Sequence, residues 1–251
     1  MYQETPHAAA AVADELAPPE LAQQAYAQFA DAETLAAMLD HTLLKPEATL
    51  EQASALADEA AQYRFACAMV NPIWVPAVRD RLAGTGIRVG TVIGFPLGAS
   101  MAQTKCAEAR FAAQGGALDL DMVISIGALR SGLLAEVERE ITSVAEIAHG
   151  EGAILKVILE TCLLTDDEKR KAAEMCLQAS ADFVKTSTGF STGGATVADV
   201  QLLRATVGDR CGVKASGGIR SLSDAVRMAQ AGANRIGASA SVAIVEAYKA
   251  L

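Results

Sequence analysis

The sequence predicts one α/β domain closed into an eight-stranded (β/α)8 TIM barrel, preceded by an N-terminal extension. Three observations point there. The chain has 251 residues, close to the length of one such barrel. Strand-like and helix-like segments alternate eight times from residue 34 onward, and eight consecutive units of this kind close a parallel sheet on itself. Hydrophobic residues make up 51% of the chain but aromatic ones only 4%. Ala, Val, Leu and Ile must therefore fill an interior large enough to be stable without disulfides or metals.

Residues 1–30 read as an Ala- and acid-rich extension, broken at Pro18-Pro19, in which Glu20 to Phe29 can form a short helix. A loosely docked tail and a contact between subunits both remain open for it. The barrel domain then occupies 31–251, with strands expected at 38–42, 65–70, 87–94, 117–125, 154–160, 182–187, 211–215 and 234–238. Helices are expected at 50–62, 73–83, 101–114, 131–149, 166–179, 196–207, 221–231 and 240–250. Gly, Asn or Pro punctuates the junctions, as at Gly115-Gly116, Gly150 and Gly232, because these residues end helices and make turns.

Alternation inside the strands carries more information. Leu118, Leu120, Met122 and Ile124 share one parity, and Asp119, Asp121, Val123 and Ser125 the other. Leu155, Val157 and Leu159 oppose Ile154, Lys156, Ile158 and Glu160; Val184 opposes Phe183, Lys185 and Ser187; Val213 and Ala215 oppose Lys214 and Ser216. Successive strand side chains point to opposite faces. Helices cover the outside of a barrel, so the apolar parity belongs there and the charged parity points inward. Asp121, Lys156, Lys185 and Lys214 are then expected on four successive strands, all facing the axis. Such charges are costly unless they are paired or catalytic.

The formal net charge is -9 and the pI about 4.9, which argues against nucleic acid as a partner. A small phosphorylated ligand remains compatible, because a local nest of backbone N–H groups can hold one phosphate in an acidic protein. Five cysteines, scattered and without a C-x-x-C, and three dispersed histidines point away from disulfides and metal sites and toward a reducing cytoplasm. The sequence shows no signal peptide and no membrane-spanning run.

The segments Phe183 to Gly189 (FVKTSTG) and Gly212 to Gly218 (GVKASGG) echo one another. Each puts a lysine near the C-terminal end of a strand, where barrels of this kind build their sites. A lysine becomes a nucleophile when an apolar surround and a second cation lower its proton affinity, and two inward lysines on adjacent strands supply both. The competing reading is a lysine pair that binds an anion or neutralises Asp121. Spacing does not say which lysine would form an imine. Asp121 is positioned to move protons, while Asp119, roughly 7 Å deeper along the strand, reads as structural. Asp40 either orients the lysines, contacts a substrate hydroxyl or forms a buried ion pair, and Lys156 supports the same charge network.

Gly217-Gly218 after the seventh strand, and Gly237 to Ser239 after the eighth, fit a phosphate site with Gly189 as a third contact. Glycine lets backbone N–H groups approach an anion, and a following helix N-terminus favours negative charge. The loop Gly90 to Gly98 is either a shaped active-site loop or a structural turn. His41 reads as a core histidine, and His149 as compensation of a helix C-terminus.

These residues carry a family resemblance. Asp40 to Pro46 (DHTLLKP), Val70-Asn71-Pro72, Thr91 to Leu97, Asp121 to Ile124, Leu155 to Leu164, Val184 to Thr196 and Val213 to Arg220 resemble, in order, the signatures of deoxyribose-phosphate aldolases, a class I (Schiff-base) aldolase family. The resemblance implies reversible cleavage of 2-deoxy-D-ribose 5-phosphate to D-glyceraldehyde 3-phosphate and acetaldehyde through a lysine Schiff base. It implies Lys185 as the imine-forming lysine, Lys214 as the second lysine, Asp121 as the proton relay and Asp40 as an active-site aspartate. It also implies a phosphate cradle at Gly189, Gly217, Gly218, Gly237 and Ser239, with no metal or cofactor. A non-catalytic sugar-phosphate-binding barrel and a Schiff-base aldolase of other substrate range are the alternatives. Fold analogy adds a homodimer. Two departures stand out: the extension, and Met69 where the family often has cysteine, which predicts less covalent trapping by reactive aldehydes.

Overall fold

Residues 29–251 are described in a computed structural model. The eight strands are β1 (Leu39–Leu43), β2 (Cys67–Val70), β3 (Arg88–Ile93), β4 (Asp119–Val123), β5 (Ile154–Ile158), β6 (Phe183–Lys185), β7 (Gly212–Ser216) and β8 (Arg235–Ala238). Each pairs in parallel with the next, and β8 pairs with β1, so the sheet closes into the expected barrel. Asp31–Leu251 form one compact unit. The expected extension, with the short helix from Glu20, lies almost wholly outside the described residues.

Around the sheet run α1 (Ala32–Ala36), α2 (Leu50–Tyr63), α3 (Val75–Arg81), α4 (Ala102–Gln114), α5 (Ile126–Arg130), α6 (Leu134–Gly150), α7 (Asp166–Gln178), α8 (Val197–Val207), α9 (Leu222–Gln230) and α10 (Ser241–Lys249). Several starts are written in the sequence as capping boxes: Thr49 with Gln52, Thr165 with Glu168, and Ser221 with Asp224. Each side chain satisfies a backbone donor that the first helical turn leaves unpaired. The helix expected from 131 starts later, at Leu134, and a separate short helix, α5, precedes it; Gly132 at φ 77 turns the chain between them. Expected strands 117–125 and 182–187 are shorter in the structure, because their ends leave the ladder to form loops. Residues 154–160 end as strand at Ile158, and Glu160 takes a left-handed conformation (φ 59, ψ 61).

The two parities separate as read, except that Leu118, just ahead of β4, is 38% exposed. Leu120, Met122, Leu155, Val157, Val184, Val213 and Ala215 are fully buried in the core, where each large side chain contributes roughly 1.5–3 kcal/mol of hydrophobic stabilisation. The opposite parity delivers Asp119, Asp121, Lys156, Lys185 and Lys214, all buried as well. Among the described residues no helix is long and apolar enough to cross a membrane.

Candidate active site

The parallel register sets the charged side chains beside one another. Asp121 pairs with Lys156, Lys185 with Lys214, and Lys214 with Arg235 across adjacent strands. Lys185 Nζ donates to Asp121 Oδ2 at 2.7 Å, and Lys214 Nζ donates to the same oxygen at 2.7 Å. Lys214 Nζ also donates to Asp40 Oδ2 at 2.5 Å. Lys156 Nζ pairs with Asp119 and lies 3.3 Å from Asp121 Oδ1 and 3.8 Å from Asp40 Oδ2. All five expected charged residues therefore meet in one network.

Sequence reasoning missed two arginines of that network. Arg235 donates to Asp40 Oδ1 at 2.8 Å, and Arg88 donates through Nε to Asp119 and through Nη2 to Leu118 O at 2.5 Å. Both lie at the starts of their strands, and strand alternation would have found them, since they share parity with Gly237 and Gly90. Asp40 thus bridges Lys214 to Arg235, which makes it an ion-pair partner of the lysine cluster. Asp119 likewise bridges Lys156 to Arg88. Asp40, Cys67 and Asp119 bring ligand atoms within 4.8 Å of one another, but both carboxylates already accept from Lys214, Lys156 and the arginines. That donor set suits ammonium and guanidinium groups better than a metal ion.

Burial alone would disfavour every one of these charges. For Lys185 burial is the largest effect and lowers its proton affinity; Asp121 opposes it, while Lys214 and Lys156 lower it further, leaving a pKa of about 8 against an ordinary 10.5. Burial pushes Asp121 up, yet Lys185, Lys214 and Lys156 override it and hold the carboxyl well below the usual range. Asp40 also overcomes burial through Lys214, Lys156 and Arg235 and falls to about 2. Lys156 goes the other way: burial is outweighed by Asp121, Asp119 and Asp40, which hold it protonated above the ordinary lysine value. Burial, aided by Lys214 and Lys156, thus lowers the proton affinity of Lys185, while the three carboxylates raise that of Lys156.

Lys185 is also the member of the network that borders a cavity, of about 240 Å³. All five residues expected to hold phosphate line it: Gly189, Gly217, Gly218, Gly237 and Ser239. Thr42, Lys45, Thr188, Phe190 and Arg220 join them; the sequence reading did not single these out. Gly217 and Gly218 have φ of +85 and +82, a turn that L side chains rarely adopt. At Gly237 an added Cβ would lie 3.1 Å from Lys214 Cε, so this glycine also makes room for the second lysine. The two flanking helices differ. Ser221 and Asp224 already cap α9, whereas α10 starts after Ala240 with no side-chain cap. The dipole next to Ser239 is therefore the one left for an anion. A larger hollow of about 560 Å³, near Asp182, Arg204 and Cys211, contains none of the buried lysines.

Of the expected loop Gly90 to Gly98, Gly90 to Ile93 belongs to β3, and the turn after it approaches this cavity through Phe95. Gly94 N–H donates to Glu108 Oε2 at 2.6 Å, and Phe95 meets Phe190 edge to face at 5.2 Å. Met69 is fully buried with Leu44, Cys67 and Val92, and Phe95 packs on that cluster. His41 is a buried core histidine whose Nε2 lies 2.6 Å from Glu59 Oε2. His149 sits in the last turn of α6, with Asp182 Oδ2 2.9 Å from its Nε2.

Comparison with known proteins places this geometry. Residues 34–247 match the model of the DeoC/LacD family aldolases. The chain is similar to the deoxyribose-phosphate aldolase of Bacillus mycoides, 54% identical over 84% of this chain and 94% of the relative. It is also similar to that of Listeria monocytogenes serotype 4a, 55% identical over 86% and 96%. In three dimensions it resembles the tetrameric deoxyribose phosphate aldolase of Aeropyrum pernix, with a TM-score of 0.84, 36% identity and coverage of 93% and 98%. With sequence, fold and a lysine-lined cavity in agreement, the chain belongs to the DeoC/LacD family of aldolases.

Proposed function

We propose that this aldolase cleaves 2-deoxy-D-ribose 5-phosphate reversibly to D-glyceraldehyde 3-phosphate and acetaldehyde, through a Schiff base on Lys185. The observation that carries the reading is a buried lysine that both borders the cavity and shares one carboxylate oxygen with a second lysine. With a pKa of about 8, about a tenth of Lys185 is neutral at pH 7, against about three in ten thousand for an ordinary lysine. The names of the Bacillus and Listeria relatives supply the substrate.

In the cleavage direction neutral Lys185 attacks C1 of the open-chain sugar, and the carbinolamine loses water to give an iminium ion. Lys214 and Asp121 supply and return the protons of that step. A base, Asp121 directly or through water, takes the proton of the C3 hydroxyl, and the C2–C3 bond breaks. Glyceraldehyde 3-phosphate leaves with its new carbonyl at C3, and the bonding pair flows into the iminium to form an enamine. Protonation at C2 and hydrolysis release acetaldehyde and the free amine. The iminium is the electron sink, so the proposed reaction needs no metal or cofactor. Lys156 keeps Asp121 ionised, Asp40 orients Lys214, and Gly189, Gly217, Gly218, Gly237 and Ser239 hold the phosphate. A homodimer in a reducing cytoplasm is part of the same proposal.

Borohydride reduction in the presence of deoxyribose 5-phosphate, followed by peptide mass analysis, tests it. A reduced adduct on Lys185 is expected. Phosphate binding without an adduct would favour the non-catalytic barrel, and an adduct without acetaldehyde release would favour another substrate range.

A further inference from the structure

We infer that Glu160 is a positioning residue for the phosphate end of the substrate, acting through the loop that follows β6. This rests on the reading of Gly189 as a phosphate contact. Glu160 sits just beyond β5, is 2% exposed and adopts φ 59, ψ 61. That conformation is strained for a residue with a side chain and persists only where the surroundings enforce it. Here they do: Glu160 Oε2 accepts the Thr188 hydroxyl at 2.5 Å, and the Thr188 N–H lies 3.3 and 3.4 Å from the two carboxylate oxygens.

Chemistry fixes the direction of the chain. The Phe190 N–H donates to Thr188 Oγ1 at 3.0 Å, and a backbone N–H cannot accept, so the Thr188 hydroxyl must donate onward to Glu160. Among the described residues no Lys, Arg or His forms an ion pair with Glu160, so neutral donors hold its carboxylate: Thr188 of this loop and, at 3.9 Å, the Cys162 thiol. Nearby, Leu159 N–H donates to Lys185 O at 3.0 Å and Thr161 N–H to Thr186 O at 2.9 Å. The backbone bonds between the two segments end there, and the carboxylate continues them by tying down residues 188 and 190. Gly189 lies between these anchors at φ +84 with no side chain to hold it. Thr188, Gly189 and Phe190 all line the cavity. Freed from Glu160, the glycine would lose the fixed backbone geometry that a phosphate contact requires.

Glutamine is not innocuous at this position. Its single carbonyl oxygen can accept the Thr188 hydroxyl, but its NH2 then faces the Thr188 N–H, donor against donor. Steady-state kinetics of Glu160→Gln should show KM for deoxyribose 5-phosphate raised about tenfold, kcat within about twofold, and KM for unphosphorylated deoxyribose unchanged. Thr188→Val should also raise KM for deoxyribose 5-phosphate, Thr188→Ser should show the smaller rise because it keeps the hydroxyl, and the Glu160→Gln/Thr188→Val double variant should be no worse than Thr188→Val. An equal KM rise with both sugars, or a fall in kcat alone, overturns the inference. If Glu160→Gln does not fold, the two Thr188 variants carry the test, and equal KM values for Val and Ser overturn it. Borohydride trapping of the wild type separates the two readings: without an adduct on Lys185 the reaction assignment itself fails, whereas an adduct with no phosphate-specific split removes only the role of Glu160.

Discussion

Lys185 Nζ lies 2.7 Å from Asp121 Oδ2, on an oxygen that Lys214 also occupies at 2.7 Å. Burial, with Lys214 and Lys156 alongside, loosens the proton of Lys185, the lysine of this pair that also borders the cavity.

The rate should follow the neutral amine. The folded pKa of Lys185 is lowered from 10.5 to about 8, so kcat/KM should rise about tenfold per pH unit below pH 7 and level off above pH 8. Lys214 helps lower that pKa, so Lys214→Met should move the inflection upward while reducing the rate. An inflection that stays in place in Lys214→Met would contradict the coupling.

Asp121→Asn should separate imine formation from turnover. Without the carboxylate that favours its ammonium form, Lys185 should still be trapped by borohydride, while kcat drops about 100-fold or more for want of a proton relay. Lys185→Leu should abolish trapping altogether. Both are read by intact mass and by acetaldehyde release.

Ser239→Asp would put a negative charge beside the uncapped start of α10. Deoxyribose 5-phosphate should lose about tenfold or more in kcat/KM through repulsion, and unphosphorylated deoxyribose much less. Matching losses for the two sugars would argue against the phosphate assignment.

Asp40 should contribute to acid stability. Its folded pKa of about 2 lies below the unfolded 3.8, so its contribution is complete above pH 4 and is lost as pH falls through 2. The shift corresponds to about 2 kcal/mol. Urea denaturation between pH 5 and pH 2 should show the decline, with a flatter slope in Asp40→Asn.

Met69→Cys should make the enzyme more sensitive to aldehyde. The native Cys67 nearby is quiet, because burial, Asp119 and Asp40 push its thiol well above the ordinary range. A thiol at 69 would sit in the same cluster as Cys67 but two residues nearer the C-terminal end of β2, the end at which such barrels build their sites. Residual activity after prolonged incubation with acetaldehyde measures the effect, and an unchanged half-life would dismiss it.

By itself the sequence determined the barrel, the inward parity of Asp121, Lys156, Lys185 and Lys214, and the glycine loops, since alternation along a strand and turn chemistry are local properties. It also carried the family, because the motifs around Lys185 and Lys214 are contiguous. Only the tertiary structure decided that two lysines share one oxygen of Asp121, that Arg235 and Arg88 complete the network, that Lys185 reaches the cavity, and that Glu160 leaves its strand to brace Thr188. Each of these joins residues far apart in the chain: Asp40 and Arg235 are 195 positions apart yet 2.8 Å from one another. Such contacts depend on the register and closure of the whole sheet, and no pattern confined to one strand encodes them.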